Sequence, residues 1–351
     1  MYPFLTFLSL GRNIILLLVP TILLAQEPKK LFRSDDVLKM TLSFDQKTVY
    51  NDLEERDLHE ATVSWTSEDG SVSELLARVH VRGKTRAMKA TCRIPPLFLN
   101  FKDIDTKGTP FHKQKKIKLV THCKNSKSYK DYVKKEYLAY MIYNLVSPYS
   151  FNVRLCEIKY VDTEDPEDSS THYGFLIESM KDVAKRNDMK EYDGLIRNQE
   201  ALDKDNIDKL VLFQYMIGNL DWSVPKRHNI KVMVGSDGSL PIAVPYDFDY
   251  SGIVDISYAV PPEGMGISSV RERVFRGLCR KNGYGEEIQF YKTLQPKIIE
   301  EINEANYMEE KNRTAVLDYV NEFYKDINNP TIVKEKIDQA CRAKHKHSYE
   351  Y

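Results

Sequence analysis

Short segments between residues 36 and 123 are rich in β-branched and aromatic residues, and several alternate apolar with polar positions, which is typical of half-buried strands. The predicted strands are 38–44, 61–65, 74–82, 97–101 and 116–120. Apolar residues then recur at helical spacing from Tyr129 to Val146, where a Ser-Pro pair ends the helix. Two more strands are predicted at 153–161 and 173–178. This half of the chain is therefore predicted to be strand-rich, with one long helix.

Helical patterns dominate after residue 178. Helices are predicted at 180–189 and 206–220, a strand pair at 229–234 and 240–248, and helix throughout from Val270 to about Arg342. The predicted fold class is α+β with two lobes. Its parts are a linker at 26–35, a strand-rich N-lobe at 36–179, a helical C-lobe at 180–343 and a disordered tail at 344–351.

Residues 1–25 have the pattern of a secretory signal peptide. Arg12 precedes an apolar run from Asn13 to Ala25, and polar sequence follows at once. The run is shorter than the roughly 20 residues of a spanning helix and Pro20 interrupts it, so cleavage after Ala25 is favoured over an uncleaved anchor. No later stretch of the sequence is long and apolar enough to cross a bilayer. We therefore expect a secreted or periplasmic protein without a stable membrane span.

The charge balance and the cysteines argue against two classes of function. The chain has 51 basic and 51 acidic residues, which disfavours a general nucleic-acid binder. None of the 5 cysteines lies in a CxxC motif, so a zinc site is not expected. In an exported protein an odd number leaves at least one thiol unpaired within the monomer. Cys92 and Cys123 both lie in the strand-rich half and could pair.

Carboxylate and amide side chains are concentrated in two segments of the second half. Asp221 follows a predicted helix, and Asn229 begins a predicted strand. Asp247 and Asp249 stand at the end of the partner strand. A hairpin between the two strands would bring Asn229 close to Asp247. Such oxygen ligands suit a divalent cation that bridges phosphates.

A phosphoryl-transfer site needs metal ligands, a carboxylate for the acceptor hydroxyl and a cation for the phosphates. Asp221 is predicted to be the base or hydroxyl-orienting residue. Asn229 and Asp247 are predicted to bind Mg²⁺ or Mn²⁺, with Asp249 as a supplementary ligand. The plain alternative for Asp247 and Asp249 is a turn cap.

A lysine on the last strand before the long helix is predicted to hold the nucleotide phosphates. Lys118 is the first candidate, paired with Glu136 on the helix in the way that kinase-type folds fix this lysine. Lys116 lies on the same strand face, so either lysine could contact the phosphates. The alternative for Lys118 and Glu136 is a surface ion pair that contributes little stability.

These segments resemble the spore-coat-protein-H-type (CotH) atypical kinases, a family within the wider protein-kinase-like fold. The segment 218–222 is similar to the family's G-N-x-D-W catalytic stretch, Asn229 to its downstream asparagine and 245–249 to its aromatic-D-x-D metal motif. The segment 81–83 resembles the family's R-G loop over the phosphates, and 175–178 resembles the strand that leads into the hinge. The resemblance covers roughly residues 75 to 260.

The resemblance implies a two-lobed protein-kinase-like fold, ATP as substrate and Mg²⁺ or Mn²⁺ as cofactor. It also implies that Asp221 and Asp247 are the catalytic and metal residues. No GxGxxG motif is present, and Arg82 and Lys84 stand where that loop would hold the phosphates. Glu178, at the end of the hinge-like strand, completes the predicted nucleotide-binding residues.

Two hypotheses of different classes follow. The first is an exported kinase-like enzyme that transfers a phosphoryl or nucleotidyl group from ATP to an unidentified protein or small-molecule acceptor. The second is a non-catalytic kinase-fold protein that binds a partner or a phosphorylated ligand. A metal-dependent phosphoesterase that uses the same acidic cluster is a third, weaker hypothesis. The scarcity of ATP outside the cytoplasm favours the second, and the paired motifs around Asp221 and Asp247 favour the first.

Overall fold

The computed structural model describes residues 27–67 and 70–341. The predicted signal peptide at 1–25 and the predicted tail at 344–351 lie outside the described residues. The predicted secondary-structure elements from residue 36 onward can therefore be compared with the structure.

Seven strands of the described chain close into a barrel in the order β1-β2-β3-β4-β5-β7-β6. They are β1 (Leu38–Phe44), β2 (His59–Thr66), β3 (Val72–Val81), β4 (Leu97–Asn100), β5 (Lys116–Val120), β6 (Val153–Asp162) and β7 (Ser169–Ile177). Neighbouring strands run antiparallel, except that β1 pairs with β6 in parallel and so closes the barrel.

Alternation of apolar and polar side chains explains why these segments form a barrel. Leu42 and Phe44 of β1 and Val63 of β2 are fully buried, while the residues between them are partly exposed. Successive side chains of a strand point to opposite faces, so one apolar face of each strand lines the interior. The described barrel interior is thus filled by side chains, as its hydrophobic cluster shows.

Helices and a small second sheet make up the rest of the described chain. The helices are α1 (Gln46–Asn51), α2 (Lys127–Val146), α3 (Met180–Arg186), α4 (Lys204–Ile217), α5 (Gly285–Glu304), α6 (Glu310–Asn328) and α7 (Pro330–Val333). The second sheet contains β8 (Lys190–Glu191), β9 (Ile230–Val234) and β10 (Ile242–Pro245), in the antiparallel order β10-β9-β8. The second sheet packs beside α4, and most residues of α4 are buried.

The predicted two-lobed protein-kinase-like fold, with a strand-rich N-lobe that holds one main helix and a mostly helical C-lobe, is wrong. The strands of the first half close into a seven-stranded barrel, and α2 belongs to the helical core instead. The ring of Tyr143 lies 4.6 Å from that of Phe213 on α4, and Tyr140 lies 4.6 Å from Phe248. Residues 136–140 of α2 are all buried, so the helix is covered on every side along this stretch. Spacing in the sequence identified the helix but not the elements around it.

The individual elements coincide with the predicted ones more closely than the architecture does. One clear difference is the segment 270–284, which was predicted as helix but contains no helix. Its arginines bind backbone carbonyls of other segments. Arg276 donates to the carbonyls of Leu220 and Trp222, and Arg273 donates through Nε to Met216 O at 3.2 Å. These tertiary contacts hold an irregular segment where local propensity favours helix.

All cysteines lie in the described part of the chain. Cys92 pairs with Cys123, with Cα atoms 4.6 Å apart, and Cys279 pairs with Cys341. Cys156, in the barrel interior, is a buried free thiol. Across residues 27–67 and 70–341, none of the helices has the length and apolar character that a bilayer crossing requires.

Candidate active site

A hairpin of β9 and β10 brings two of the predicted metal ligands to the same end of the small sheet. Ile230 pairs with Pro245, and the next backbone contact is Tyr246 N donating to Asn229 O at 3.0 Å. Asn229 and Asp247 both adopt the left-handed conformation, with φ of 51° and 63°. Asn and Asp are the non-glycine residues that tolerate this conformation best. The hairpin therefore ends with an amide and a carboxylate on adjacent segments.

Asp221 is fixed by the end of α4 and by two side chains. The helix ends at Gly218, whose φ of 65° and close approach to Tyr319 leave no room for a Cβ atom. Asn219 Oδ1 then accepts a hydrogen bond from Asp221 N at 3.0 Å. Asn229 Nδ2 donates to Asp221 Oδ2 at 3.0 Å and to its carbonyl at 2.7 Å. The carboxylate is thus oriented, while 35% of its side chain stays exposed.

His228 completes this arrangement and was not among the predicted site residues. Its Nε2 lies 2.7 Å from Asp221 Oδ1, and this hydrogen bond raises the pKa of His228. Backbone hydrogen bonds in both directions between Ser223 and His228 close the loop that connects Asp221 to Asn229. The closed loop accommodates the seven residues between Asp221 and Asn229, whereas the catalytic loop of an ordinary protein kinase has four between its Asp and Asn. In the sequence, only the position of His228 directly before the predicted ligand Asn229 indicated that this histidine could belong to the site.

Arg86 lies at the centre of a second group of charged side chains. We call Arg86, Glu136, Asp249 and Tyr258 the inner cluster. Arg86 Nε donates to Asp249 Oδ2 at 2.9 Å and to Tyr258 Oη at 3.0 Å, and Arg86 Nη2 donates to Glu136 Oε2 at 2.8 Å. Tyr258 Oη also donates to Asp249 Oδ2 at 2.6 Å. Glu136 and Asp249 are buried, so Arg86 supplies their counter-charge away from water.

The predicted pairing of Lys118 with Glu136 is replaced in the structure by the pairing of Arg86 with Glu136. Arg86 comes from the loop after β3, in a short 3₁₀ turn at Thr85–Ala87. Burial raises the pKa of Glu136, and the nearby Arg86 opposes that rise. The other carboxyl oxygen of Glu136, Oε1, is buried and has no hydrogen-bond partner in the described residues.

The remaining polar and charged groups form another set, in which Asp221, His228 and Asp247 are partly exposed and Asn229 is buried. We call Asp221, His228, Asn229, Asp247, Arg82 and Lys118 the outer cluster. Asp247 keeps 44% of its side chain exposed, and its backbone N donates to Tyr140 Oη at 2.8 Å. Burial around Asp247 and the charge of Asp249 raise its pKa, whereas Arg86, Arg82 and Lys118 lower it. Three cations thus influence one partly exposed carboxylate.

Lys118, and not Lys116, belongs to the outer cluster. Lys118 Nζ lies 5.1 Å from the centre of the Tyr246 ring, next to Asp247. Burial, followed by the charge of Arg82, lowers the pKa of Lys118 to about 8. Lys116 Nζ instead lies 4.0 Å above the ring of Phe98. The structure therefore separates two lysines, either of which the sequence allowed at the phosphates.

Two predicted nucleotide-binding residues have other surroundings. Lys84 is exposed on the loop that carries Arg86. Glu178 is buried, and its Oε2 accepts hydrogen bonds from Asn152 N and Nδ2, each at 3.0 Å. Arg186 Nε also lies 3.3 Å from this oxygen. The Glu178 carboxylate therefore joins the start of β6 to the end of α3, and the hinge-like strand presents no free carboxylate to a ligand there.

The donor set fits a divalent cation only in part. Within the ranges that the structure describes, no group of three or more His, Cys, Asp or Glu side chains is arranged to hold a metal ion. Asn229 and the partly exposed Asp247 remain as candidate oxygen ligands, and Mg²⁺ in phosphate sites commonly uses one or two carboxylates with phosphates and water. Asp249 differs, because Arg86 and Tyr258 already occupy its Oδ2.

Comparisons with known proteins leave the family open. No known family profile matches the sequence, and no curated protein matches it. Among solved structures, the chain is weakly similar to a proinflammatory kinase, CtkA, from Helicobacter pylori. The alignment has 10% sequence identity, covers 70% of this chain and 92% of the other, and has a TM-score of 0.39. The resemblance to the CotH family stays a prediction.

Proposed function

We propose that this chain is an exported phosphotransferase that moves a phosphoryl or nucleotidyl group from ATP to an acceptor hydroxyl, with Mg²⁺ or Mn²⁺. The observation that carries the proposal is the geometry of Asp221. Its carboxylate is held by His228 at 2.7 Å and by Asn229 at 3.0 Å, yet part of it stays open to a ligand. An oriented, accessible carboxylate beside a second one suits proton acceptance during group transfer.

Arg82 and Lys118 are assigned to the phosphates of the nucleotide. Both act on the charge of Asp247, so they lie near the place where a phosphate-bound cation would sit. Charge-assisted hydrogen bonds from guanidinium and ammonium groups to phosphate are short and strong. Asn229 and Asp247 would hold the divalent cation, which when bound supplies charge stabilisation for the phosphate oxygens.

The group-transfer step is a displacement at phosphorus. In phosphoryl transfer, the acceptor oxygen bonds to the γ-phosphorus while the bond to the bridging oxygen breaks, and ADP leaves. In nucleotidyl transfer, the acceptor oxygen bonds to the α-phosphorus, and pyrophosphate leaves. In both cases Asp221 accepts the proton of the acceptor hydroxyl, and the hydrogen bonds from His228 and Asn229 keep it aimed at that oxygen.

Export is the part of the proposal that the disulfides support. Cys92–Cys123 and Cys279–Cys341 are the kind of cross-links that persist in oxidising compartments. The signal-peptide pattern of residues 1–25 points to the same compartment. The acceptor is an unidentified protein or small molecule outside the cytoplasm.

Thermal unfolding of the mature chain with ATP, with and without Mn²⁺, tests nucleotide binding. A ligand that binds only the folded state raises the unfolding temperature by mass action. We expect a shift that needs both ATP and Mn²⁺ and that Asp247→Asn abolishes. The proposal fails if millimolar ATP with Mn²⁺ produces no shift. Label from γ-³²P-ATP or α-³²P-ATP on the acceptor then separates phosphoryl from nucleotidyl transfer.

A second candidate function is non-catalytic binding of a phosphorylated ligand. It is favoured by Arg82 and Lys118, because these cations can hold a phosphate without a metal ion. The same thermal experiment distinguishes it from the enzyme. A binding protein would show a shift with ATP or a phosphorylated compound that is independent of Mn²⁺, and no transfer of label.

A further inference from the structure

We propose that Arg86 is a built-in cation that replaces a second divalent ion, so that this site takes one metal ion and not two. The inference deepens the proposed function and rests on it for the identity of the first metal ion. Arg86 reaches Glu136, Asp249 and, more distantly, Asp247, where Nη2 lies 3.9 Å from Oδ1. One guanidinium therefore stands among three carboxylates.

The Oδ2 oxygen of Asp249, which a second metal ion could use, is already saturated. Asp249 Oδ2 accepts from Arg86 Nε at 2.9 Å and from Tyr258 Oη at 2.6 Å, and Arg86 Nη2 lies 2.8 Å away. Mg²⁺ binds oxygen at about 2.0–2.1 Å, so an ion on this oxygen would lie against the guanidinium. Two like charges at that separation in a buried site repel each other strongly. The Oδ2 oxygen of Asp249 therefore cannot bind a metal ion while Arg86 keeps this position.

Burial makes the counter-charge necessary. Glu136 is 2% exposed and Asp249 is 5% exposed. Buried ionised carboxylates are stable only when they are paired and hydrogen-bonded. The ion pairs that both make within the described chain are with Arg86. Arg86 thus performs the neutralisation that a metal ion would otherwise provide.

The backbone holds Arg86 in place. Its neighbour Ala87 is buried, and Ala87 N donates to Lys84 O at 3.2 Å. Further along the loop, Cys92 N donates to Met88 O at 3.0 Å, and the disulfide to Cys123 fixes the loop to the segment after β5. A guanidinium on a cross-linked loop is pre-organised for the carboxylates. The loop that carries Arg86 is thus anchored by backbone hydrogen bonds and by the disulfide.

Counting bound Mn²⁺ ions tests the inference. The mature wild-type chain and Arg86→Met are titrated with Mn²⁺, and free Mn²⁺ is measured by electron paramagnetic resonance, with and without a non-hydrolysable ATP analogue. We expect at most one Mn²⁺ per wild-type chain and one more per chain in Arg86→Met, because Asp249 and Glu136 are released. Lys127→Met, which removes an exposed cation paired with Glu309, is the matched control and should bind as wild type does.

A second variant keeps the inference testable if Arg86→Met does not fold. Arg86→Met with Glu136→Gln removes one negative charge along with the positive one and keeps Asp249 and Asp247 for the extra ion. The inference is overturned if the wild-type chain binds two Mn²⁺, or if the folded variant binds no more than wild type. Failure of the proposed function looks different: the wild type then shows no nucleotide-dependent Mn²⁺ binding, while the gain in the Arg86 variant remains.

Discussion

The inner and outer clusters are built from the same kinds of side chain but differ in what satisfies their charges. In the inner cluster, Glu136 and Asp249 are buried and bind Arg86 at 2.8 Å. In the outer cluster, Asp221 and Asp247 keep 35% and 44% of their side chains exposed. The inner carboxylates are therefore committed to a protein cation, and the outer carboxylates are available to a ligand.

This difference separates a structural from a functional use of acidic residues. A buried ion pair that loses one partner leaves an uncompensated charge, so its removal costs stability. Neutralising a partly exposed carboxylate changes the free energy of unfolding little, because water solvates the carboxylate in both the folded and the unfolded state. Substitutions in the two clusters should consequently change different measurements.

The largest effect is expected for Asp221→Asn. The substitution keeps the size of the side chain but removes the proton acceptor, and general-base catalysis typically contributes about 10²- to 10⁴-fold in rate. Transfer of ³²P from ATP should fall by this factor, with a free energy of unfolding within about 1 kcal/mol of wild type. Asp318→Asn, an exposed carboxylate on α6, is the control and should change neither measurement. Equal rates in Asp221→Asn and wild type would contradict the role of Asp221.

The next largest effect is expected for Arg86→Met, and it concerns stability. Loss of the guanidinium leaves the inner carboxylates unpaired, which costs about 3–5 kcal/mol for a buried pair. Urea denaturation without metal should show this loss in the free energy of unfolding. Lys127→Met breaks an ion pair whose side chains are 75% and 55% exposed and should leave the free energy of unfolding nearly unchanged. Similar losses in both variants would remove the distinction between buried and exposed pairs.

A buried histidine pair without a counter-charge sharpens the comparison. The rings of His122 and His172 stack 3.6 Å apart, and both are buried. Burial, followed by the charge of His172, lowers the pKa of His122 to about 3, and burial together with the charge of Lys130 lowers the pKa of His172 to about 4. The unfolded chain therefore takes up protons from pH 6.5 downward, before the folded chain does, so stability falls as pH drops towards 4.

The free energy of unfolding should fall by about 1.4 kcal/mol per pH unit for each proton that the unfolded chain takes up and the folded chain does not. Urea denaturation of wild type and of His172→Phe between pH 7 and about pH 4 measures it, because the difference between the two isolates one histidine from the carboxylates that titrate in the same range. We expect a shallower fall for His172→Phe. Parallel profiles would show that the pair does not control acid stability.

The smallest effect is expected for the two strand lysines. Lys118→Met should weaken ATP binding about tenfold, or about 1.4 kcal/mol, because a charged hydrogen bond to phosphate is lost. Lys116→Met, two residues away on the same strand, should bind ATP as wild type does, since Lys116 lies over Phe98. Isothermal titration calorimetry with ATP and Mn²⁺ measures both. The reverse order would place Lys116, and not Lys118, at the phosphates.

Local pattern sufficed for most elements because side-chain spacing reflects the period of a strand or helix. The predicted strand 38–44 coincides with β1, and the predicted helix 129–146 lies within α2. The same spacing failed at 270–284, where long-range bonds from arginines hold an irregular segment. The barrel was beyond reach as well, because the parallel pairing of β1 with β6 joins residues more than 110 positions apart.

The sequence by itself determined most of the elements, and it grouped Asp221, Asn229 and Asp247 as carboxylates and amides on neighbouring segments. Only the tertiary structure decided which cation serves which carboxylate. The sequence predicted Lys118 as the partner of Glu136, whereas the structure pairs Glu136 with Arg86, because the loop after β3 brings Arg86 to α2. A charge pairing depends on distance in space and on burial, and neither is encoded in the spacing of residues along a chain.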